Sequence, residues 1–204
     1  MTPAEAVRSD FELISALVTD GARVLDLGCG DGELLQLIRD EKGADVHGVE
    51  LDFSNVAACV RRDIPVLRTD LDQGLAGFPD GSFDVVVLSQ TLQVVHRPAL
   101  VLREMLRVAE RGIISFPNFG YWRTRIFLAL RGRMPVNASI PYTWYETPNI
   151  HHTTIQDFRD FVAANGGAIE REIPLASRSS GSAHPVRFAP NLLADTAVAV
   201  VRRA

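Results

Sequence analysis

Asp26, Asp31 and Glu33 stand among Gly28, Gly30 and Gly32 in the stretch DLGCGDGE. Closely spaced glycines make an open turn whose backbone N–H groups can approach a ligand closely. The three carboxylates argue against phosphate as that ligand. A pyrophosphate about 4–6 Å from a carboxylate meets a repulsion of a few kcal/mol, even at an effective dielectric near 20. The spacing also departs from the dinucleotide pattern G-x-G-x-x-G, because Glu33 stands where the third glycine belongs.

A cationic nucleoside reconciles the glycines with the charge. S-adenosylmethionine (SAM) carries an ammonium and a sulfonium and no phosphate; its product S-adenosylhomocysteine (SAH) keeps the ammonium. Glu50 lies about 20 residues beyond the glycines, at the end of an apolar run, where a carboxylate can accept both ribose hydroxyls. Leu51 follows it. Asp70, in RTDLD, can reach the adenine amino group, with Leu71 against the ring. The candidate cofactor set is therefore Asp26, Gly28, Gly30, Gly32, Glu50, Leu51, Asp70, Leu71 and Gln90. The plainer alternative is that the glycines only serve a tight strand–helix turn and that Asp26 caps a helix.

These residues need particular elements beneath them. Unbroken apolar runs predict buried strands over 22–27, 44–50, 64–70, 83–89 and 112–116. Helical spacing predicts helices over 10–18, 33–39, 54–62 and 98–108, with Ser54 as the N-cap of the third and proline opening the fourth. Alternation of this kind means βαβ units and a parallel sheet. After Phe116 the rhythm stops until a helix over 153–167, capped by Thr153 or Thr154, and strands over 168–176 and 196–203. A Ser/Gly-rich turn, SRSSGSAHP at 177–185, joins those strands. The expectation is one α/β domain over 1–204: a Rossmann-like, doubly wound, mostly parallel seven-stranded sheet, with an aromatic and arginine-rich insert at about 117–150.

Composition bounds the function. A chain of 204 residues, 47% hydrophobic and 23% charged, has room for one full core. A net charge of −4 gives no electrostatic reason to expect nucleic acid. Two cysteines, Cys29 in the glycine turn and Cys59 inside a helix, form neither a disulfide framework nor a zinc spacing. The N-terminal stretch carries acids and lacks a signal-peptide core. No run reaches the roughly 18 apolar residues of a membrane span. A soluble cytoplasmic protein with no metal site is expected.

The phrases VLDLGCGDGELL, GVELD, TDLD and FDVVVLSQTLQ resemble the class I SAM-dependent methyltransferase fold. More narrowly, SFPNFGYWRTRIFLALRGRMPV and PYTWYETPNIHHTTIQDF resemble the MetW family of methionine-biosynthesis proteins. That resemblance spans most of residues 20–165 and is loose beyond 168. It implies a methyltransferase-like fold that works beside homoserine O-acyltransferase, MetX, in the first committed step of methionine synthesis.

The residues limit what the chain does alone. Acyl transfer on an α/β-hydrolase needs a G-x-S-x-G elbow, which this sequence lacks, so the nucleophile must be the partner's. Methyl transfer has an intact cofactor side, yet SQTLQVVHRP lacks the acceptor pattern (D/N)-P-P-(Y/F) of amine methyltransferases. Gln90 and Gln93 either hold a small acceptor or cap the strand. His96 reads as a surface residue, and His151 and His152 precede a helix; no catalytic residue is assigned. Residues 116–145 hold eight of the fifteen aromatics, interleaved with Arg123, Arg125, Arg131 and Arg133. Two readings stand for a helix at about 121–131: it packs its apolar face on the sheet beneath arginine stems, or it is a lid or docking surface. RNA stacking would use the same residue types but sits poorly with the acidic balance.

Overall fold

The computed structural model describes residues 3–137, 139–177 and 183–204, with side chains from Asp10 onward. Its strands are β1 (Arg23–Leu27), β2 (Asp45–Glu50), β3 (Val66–Arg68), β4 (Phe83–Ser89), β5 (Ala109–Pro117), β6 (Gly167–Ser177), β7 (Ala183–Pro185) and β8 (Thr196–Arg203). The helices are α1 (Pro3–Leu17), α2 (Glu33–Lys42), α3 (Phe53–Arg61), α4 (Pro98–Val108), α5 (Trp122–Arg131), α6 (Ile155–Ala164) and α7 (Pro190–Leu193). All eight strands join one sheet in the order β3-β2-β1-β4-β5-β8-β6-β7. The first five are parallel, while β8 runs antiparallel between β5 and β6.

Strand periodicity divides the core. Val85, Val87, Ile113, Val198 and Val200 point to one face, where Ile14 of α1, Leu35 and Ile38 of α2 and Cys59 of α3 cover them. Their neighbours Val86, Leu88, Ile114, Ala197 and Ala199 point to the other, beneath Leu102 and Met105 of α4 and Phe158 of α6. Alternate side chains of one strand thus feed two cores, as a doubly wound sheet requires.

The expected architecture is present with local differences. The sheet has eight strands where seven are expected: the added one, β7, is a short edge strand, Ala-His-Pro, whose polar and proline character hides it in the sequence. The third strand spans only Val66–Arg68, because Thr69 and Asp70 turn into a 3-10 segment at Leu71–Gln73. The third helix begins at Phe53, one residue before its expected start. Its N-cap is Asp52, whose carboxylate accepts from the N–H groups of Ser54 and Asn55, so Ser54 is not the cap. Thr154, not Thr153, caps α6 in a reciprocal capping box with Asp157. Of the Ser/Gly-rich turn, residues 178–182 lie outside the described residues. Among the described residues no helix is long and apolar enough to cross a membrane.

Candidate functional site

The strand order reverses between β1 and β4, so the crevice beyond their carboxyl ends is the topological switch point where open α/β sheets bind ligands. The glycine loop fills that position. Gly28, Gly30 and Gly32 all have positive φ, at +78°, +55° and +84°. At Gly28 a Cβ would also stand 2.7 Å from the Thr91 side chain, so no other residue fits there. The amides of Gly28 and Cys29 both donate to the Val49 carbonyl, at 2.8 and 3.0 Å, which fastens the loop to the end of β2.

Glu50 closes the other side. Its Oε2 accepts from the Gly30 N–H at 2.9 Å, and its Oε1 accepts from the N–H groups of Leu51 and Asp52, both at 2.8 Å. A carboxylate offers about four acceptor positions. With three engaged by backbone, Glu50 is held rigidly and keeps one acceptor position open.

Asp26 sits beneath the loop on β1, 2% exposed. Its Oδ1 has no hydrogen-bond partner among the described residues. Burial pushes its carboxyl up to about 7, and the charge of Glu50 adds to the effect. A buried acid so placed is suited to a cation, which would restore its ionised form; it caps no helix. Asp31, by contrast, ion-pairs with Arg62 at 2.8 Å and accepts from the Glu33 amide, so its charge is spent inside the protein.

Asp70 is half-buried and accepts from the Asp72 N–H at 2.9 Å, and Leu71 is buried at the head of the 3-10 segment. Leu51 is exposed. Gln90 follows β4 with φ +52°, an uncommon conformation for a side-chain-bearing residue. Its Nε2 donates to Asp10 at 3.1 Å, and its backbone and side-chain oxygens accept from Gln93. Gln93 is buried, with Oε1 unpartnered among the described residues. Asp10 is likewise buried, and desolvation raises its carboxyl to about 6 despite the Gln90 hydrogen bond. Sequence reasoning missed Asp10, since nothing local ties an acid in α1 to the end of β4.

His151 meets that group through its backbone, whose N–H donates to the Gln93 carbonyl at 3.1 Å. His96 is exposed and its backbone N–H donates to Asp72; His151 contacts the Val95 carbonyl; His152 stacks on Phe119 with centroids 4.2 Å apart. Asn118, at the end of β5, is a further missed residue. Its Nδ2 donates to Asn191 and Ala194 carbonyls and its Oδ1 accepts from Gly120 and Ile155 amides.

The helix at 122–131 forms, but of the two readings the packing one fails. Only Thr124 of α5 is buried, whereas Ile126, Phe127 and Leu128 are exposed and Leu130 is 79% exposed. Trp144 and Tyr145, in the segment that follows, are 73% and 68% exposed.

Comparison with known proteins fits this geometry. A SAM-dependent methyltransferase of Thermotoga maritima superposes with a TM-score of 0.71 at 14% identity, over 98% of this chain and 90% of that one. Magnesium protoporphyrin IX methyltransferase of Synechocystis, solved with bound SAH, gives 0.64 at 18% identity, over 99% and 84%. The fold is that of the class I SAM-dependent methyltransferases. The family model "Methionine biosynthesis protein MetW" matches residues 8–201, and the chain belongs to that family. A bifunctional methionine biosynthesis protein MetXA/MetW of Rhodopirellula baltica is 38% identical over 203 residues, 95% of this chain. The chain spans 32% of that relative's length.

Proposed function

We propose that this chain is an accessory subunit or regulator of a MetX-type homoserine O-acyltransferase, with SAM or SAH held at the β1–β4 crevice. The observation that carries this reading is the Rhodopirellula relative, whose name joins MetXA and MetW in one polypeptide. The absence of a G-x-S-x-G elbow is consistent with an acyl-transfer nucleophile supplied by the partner. The exposed apolar face of α5, with Trp144 and Tyr145, supplies the residue types that anchor protein interfaces and would face that partner.

The crevice fits the adenosyl ligand on its own evidence. Among the described residues Asp26 Oδ1 has no partner, a Cβ at Gly30 would stand in open space, and Glu50 keeps one acceptor position beside the loop. In that arrangement Asp26 would face the ligand's positive charge, Glu50 a ribose hydroxyl, and Asp70 with Leu71 the adenine. A SAM-responsive subunit at the first step would act as feedback, provided that the ligand binds the free and the partnered chain unequally.

A second reading, methyl transfer to a small acceptor, is favoured by the group that half-buried Gln90 forms with buried Asp10 and Gln93 beyond the crevice. Homoserine acylation by a MetX-type enzyme, assayed with this chain added and withheld, tests the first reading: no difference overturns it. Transfer of labelled methyl from SAM into small molecules of a cell extract would establish the second.

A further inference from the structure

Cys29 and Cys59 are thirty positions apart, yet their Sγ atoms lie 3.7 Å from one another. That is contact without a bond, since a disulfide requires about 2.05 Å. Cys29 occupies the centre of the glycine loop and packs on Gly48 of β2, where a Cβ would stand 2.5 Å from its sulfur. Cys59, from α3, donates its S–H to the Gly30 carbonyl at 3.2 Å. Both thiols are buried and free. The proposed binding of an adenosyl ligand uses neither sulfur.

We propose that Cys29 and Cys59 form a redox-modification site, closed by a hydroperoxide into a disulfide that ties the glycine loop to α3 and weakens adenosyl-ligand binding. The bond itself does not depend on the cofactor reading; its consequence for affinity does. The Cys29 thiolate attacks the O–O bond of hydrogen peroxide, an S–O bond forms, and hydroxide leaves and takes up the thiol proton as water. The Cys59 sulfur then displaces the second oxygen, again as water. Two thiols and one peroxide give one disulfide and two waters, with two electrons passed to the oxidant.

The fold explains both the selectivity and the effect. The pair is buried, so a small oxidant reaches it more readily than a bulky disulfide does. Burial also pushes both thiols up, Cys29 beside the charge of Asp26. Thiolate is therefore scarce near neutrality, and closure accelerates as pH rises. The sulfurs must approach by about 1.6 Å to bond. Cys59 then no longer carries the proton that it donates to Gly30, and the shift pulls against the Gly30–Glu50 hydrogen bond.

The test treats the full reduced chain with hydrogen peroxide and maps its peptides by mass. The expected result is a linked Cys29–Cys59 peptide, with SAM affinity by calorimetry about tenfold weaker and restored by dithiothreitol. Cys59→Ser keeps a donor to Gly30 and should stop at a sulfenic acid on Cys29, captured by dimedone. Two free thiols after oxidation, a stable sulfenic acid in the unaltered chain, or a linked form that binds SAM like the reduced one would each overturn the proposal. If the reduced chain binds no SAM, the cofactor reading has failed. Amide exchange at residues 28–32 then decides: slower exchange in the linked form supports the tether, and equal exchange refutes it.

Discussion

The carboxylate of Glu50 and the amide of Gly30 meet at 2.9 Å, so the end of β2 fixes the glycine turn that follows β1. Both oxygens of that carboxylate accept hydrogen bonds, Oε2 from Gly30 and Oε1 from Leu51 and Asp52. An amide offers only one acceptor atom. Glu50→Gln must turn its NH2 toward either Gly30 or the pair at 51 and 52, leaving an N–H facing an N–H. The expected cost is about 1–3 kcal/mol of stability, read by denaturant unfolding, with a matching loss of SAM affinity in calorimetry. Unchanged stability would show that the hydrogen bonds do not hold the loop.

The pH dependence follows from the two buried acids. Asp26 titrates at about 7 and Asp10 at about 6, both above the ordinary value near 3.8. In the folded chain Asp26 keeps up to about pH 7, and Asp10 up to about pH 6, a proton that the unfolded chain has already released near pH 4. Their contribution to stability is therefore greatest below the window between those values and falls as pH rises through it. Ligand-free protein should melt at a lower temperature near pH 8 than near pH 5.5 for this reason, and Asp26→Asn should flatten the slope. A cationic ligand reverses the preference at Asp26, because it binds the ionised carboxylate. SAM affinity should rise with pH up to about 7, with proton release, and Asp26→Asn should abolish that rise.

On α5, replacing Phe127 and Leu130 together by Asp leaves the melting temperature nearly unchanged, since both side chains already face solvent. If the proposed MetX-type partner docks on this face, the same double variant should weaken its association by about 2 kcal/mol or more, roughly thirtyfold, in a pull-down or by calorimetry. Undiminished association would move the docking surface elsewhere.

Asn118 presents the opposite case. It is 1% exposed and its amide joins four backbone groups, from the turn before α5, the start of α6 and the segment before β8. Asn118→Ala strands buried donors and acceptors and should cost about 3 kcal/mol in urea unfolding. Asn118→Asp keeps the two accepted bonds and loses the two donated ones, so it should be damaging as well, and more so as the pH rises.

Much of this architecture is legible in the sequence where the signal is local. Strands β4 and β8 and helix α4 fall on their expected residues, because unbroken apolar runs and an N-terminal proline mark their limits. The glycine loop and Glu50 come together as their spacing implies. Local signals fail where the deciding partner is remote. Asp10 meets Gln90 across eighty positions, and Cys29 meets Cys59 across thirty. The cap of α3 misleads for a different reason: Asp52 and Ser54 are both good capping residues, and Asp52 accepts hydrogen bonds from the backbone amide and the hydroxyl of Ser54. Periodicity alone also left open what α5 does with its apolar residues, since a helix facing a core and one facing a partner read alike.

Strand β8 follows the other seven in sequence and yet lies inside the sheet, between β5 and β6. Until β8 emerges from the ribosome, β5 has no neighbour on its outer side and β6 has nowhere to dock. A nascent chain would therefore wait with a bare, apolar strand margin, open to pairing with other copies. Synthesis paused or cut short before residue 196 should yield aggregation rather than a smaller folded piece, and chaperone demand should peak there.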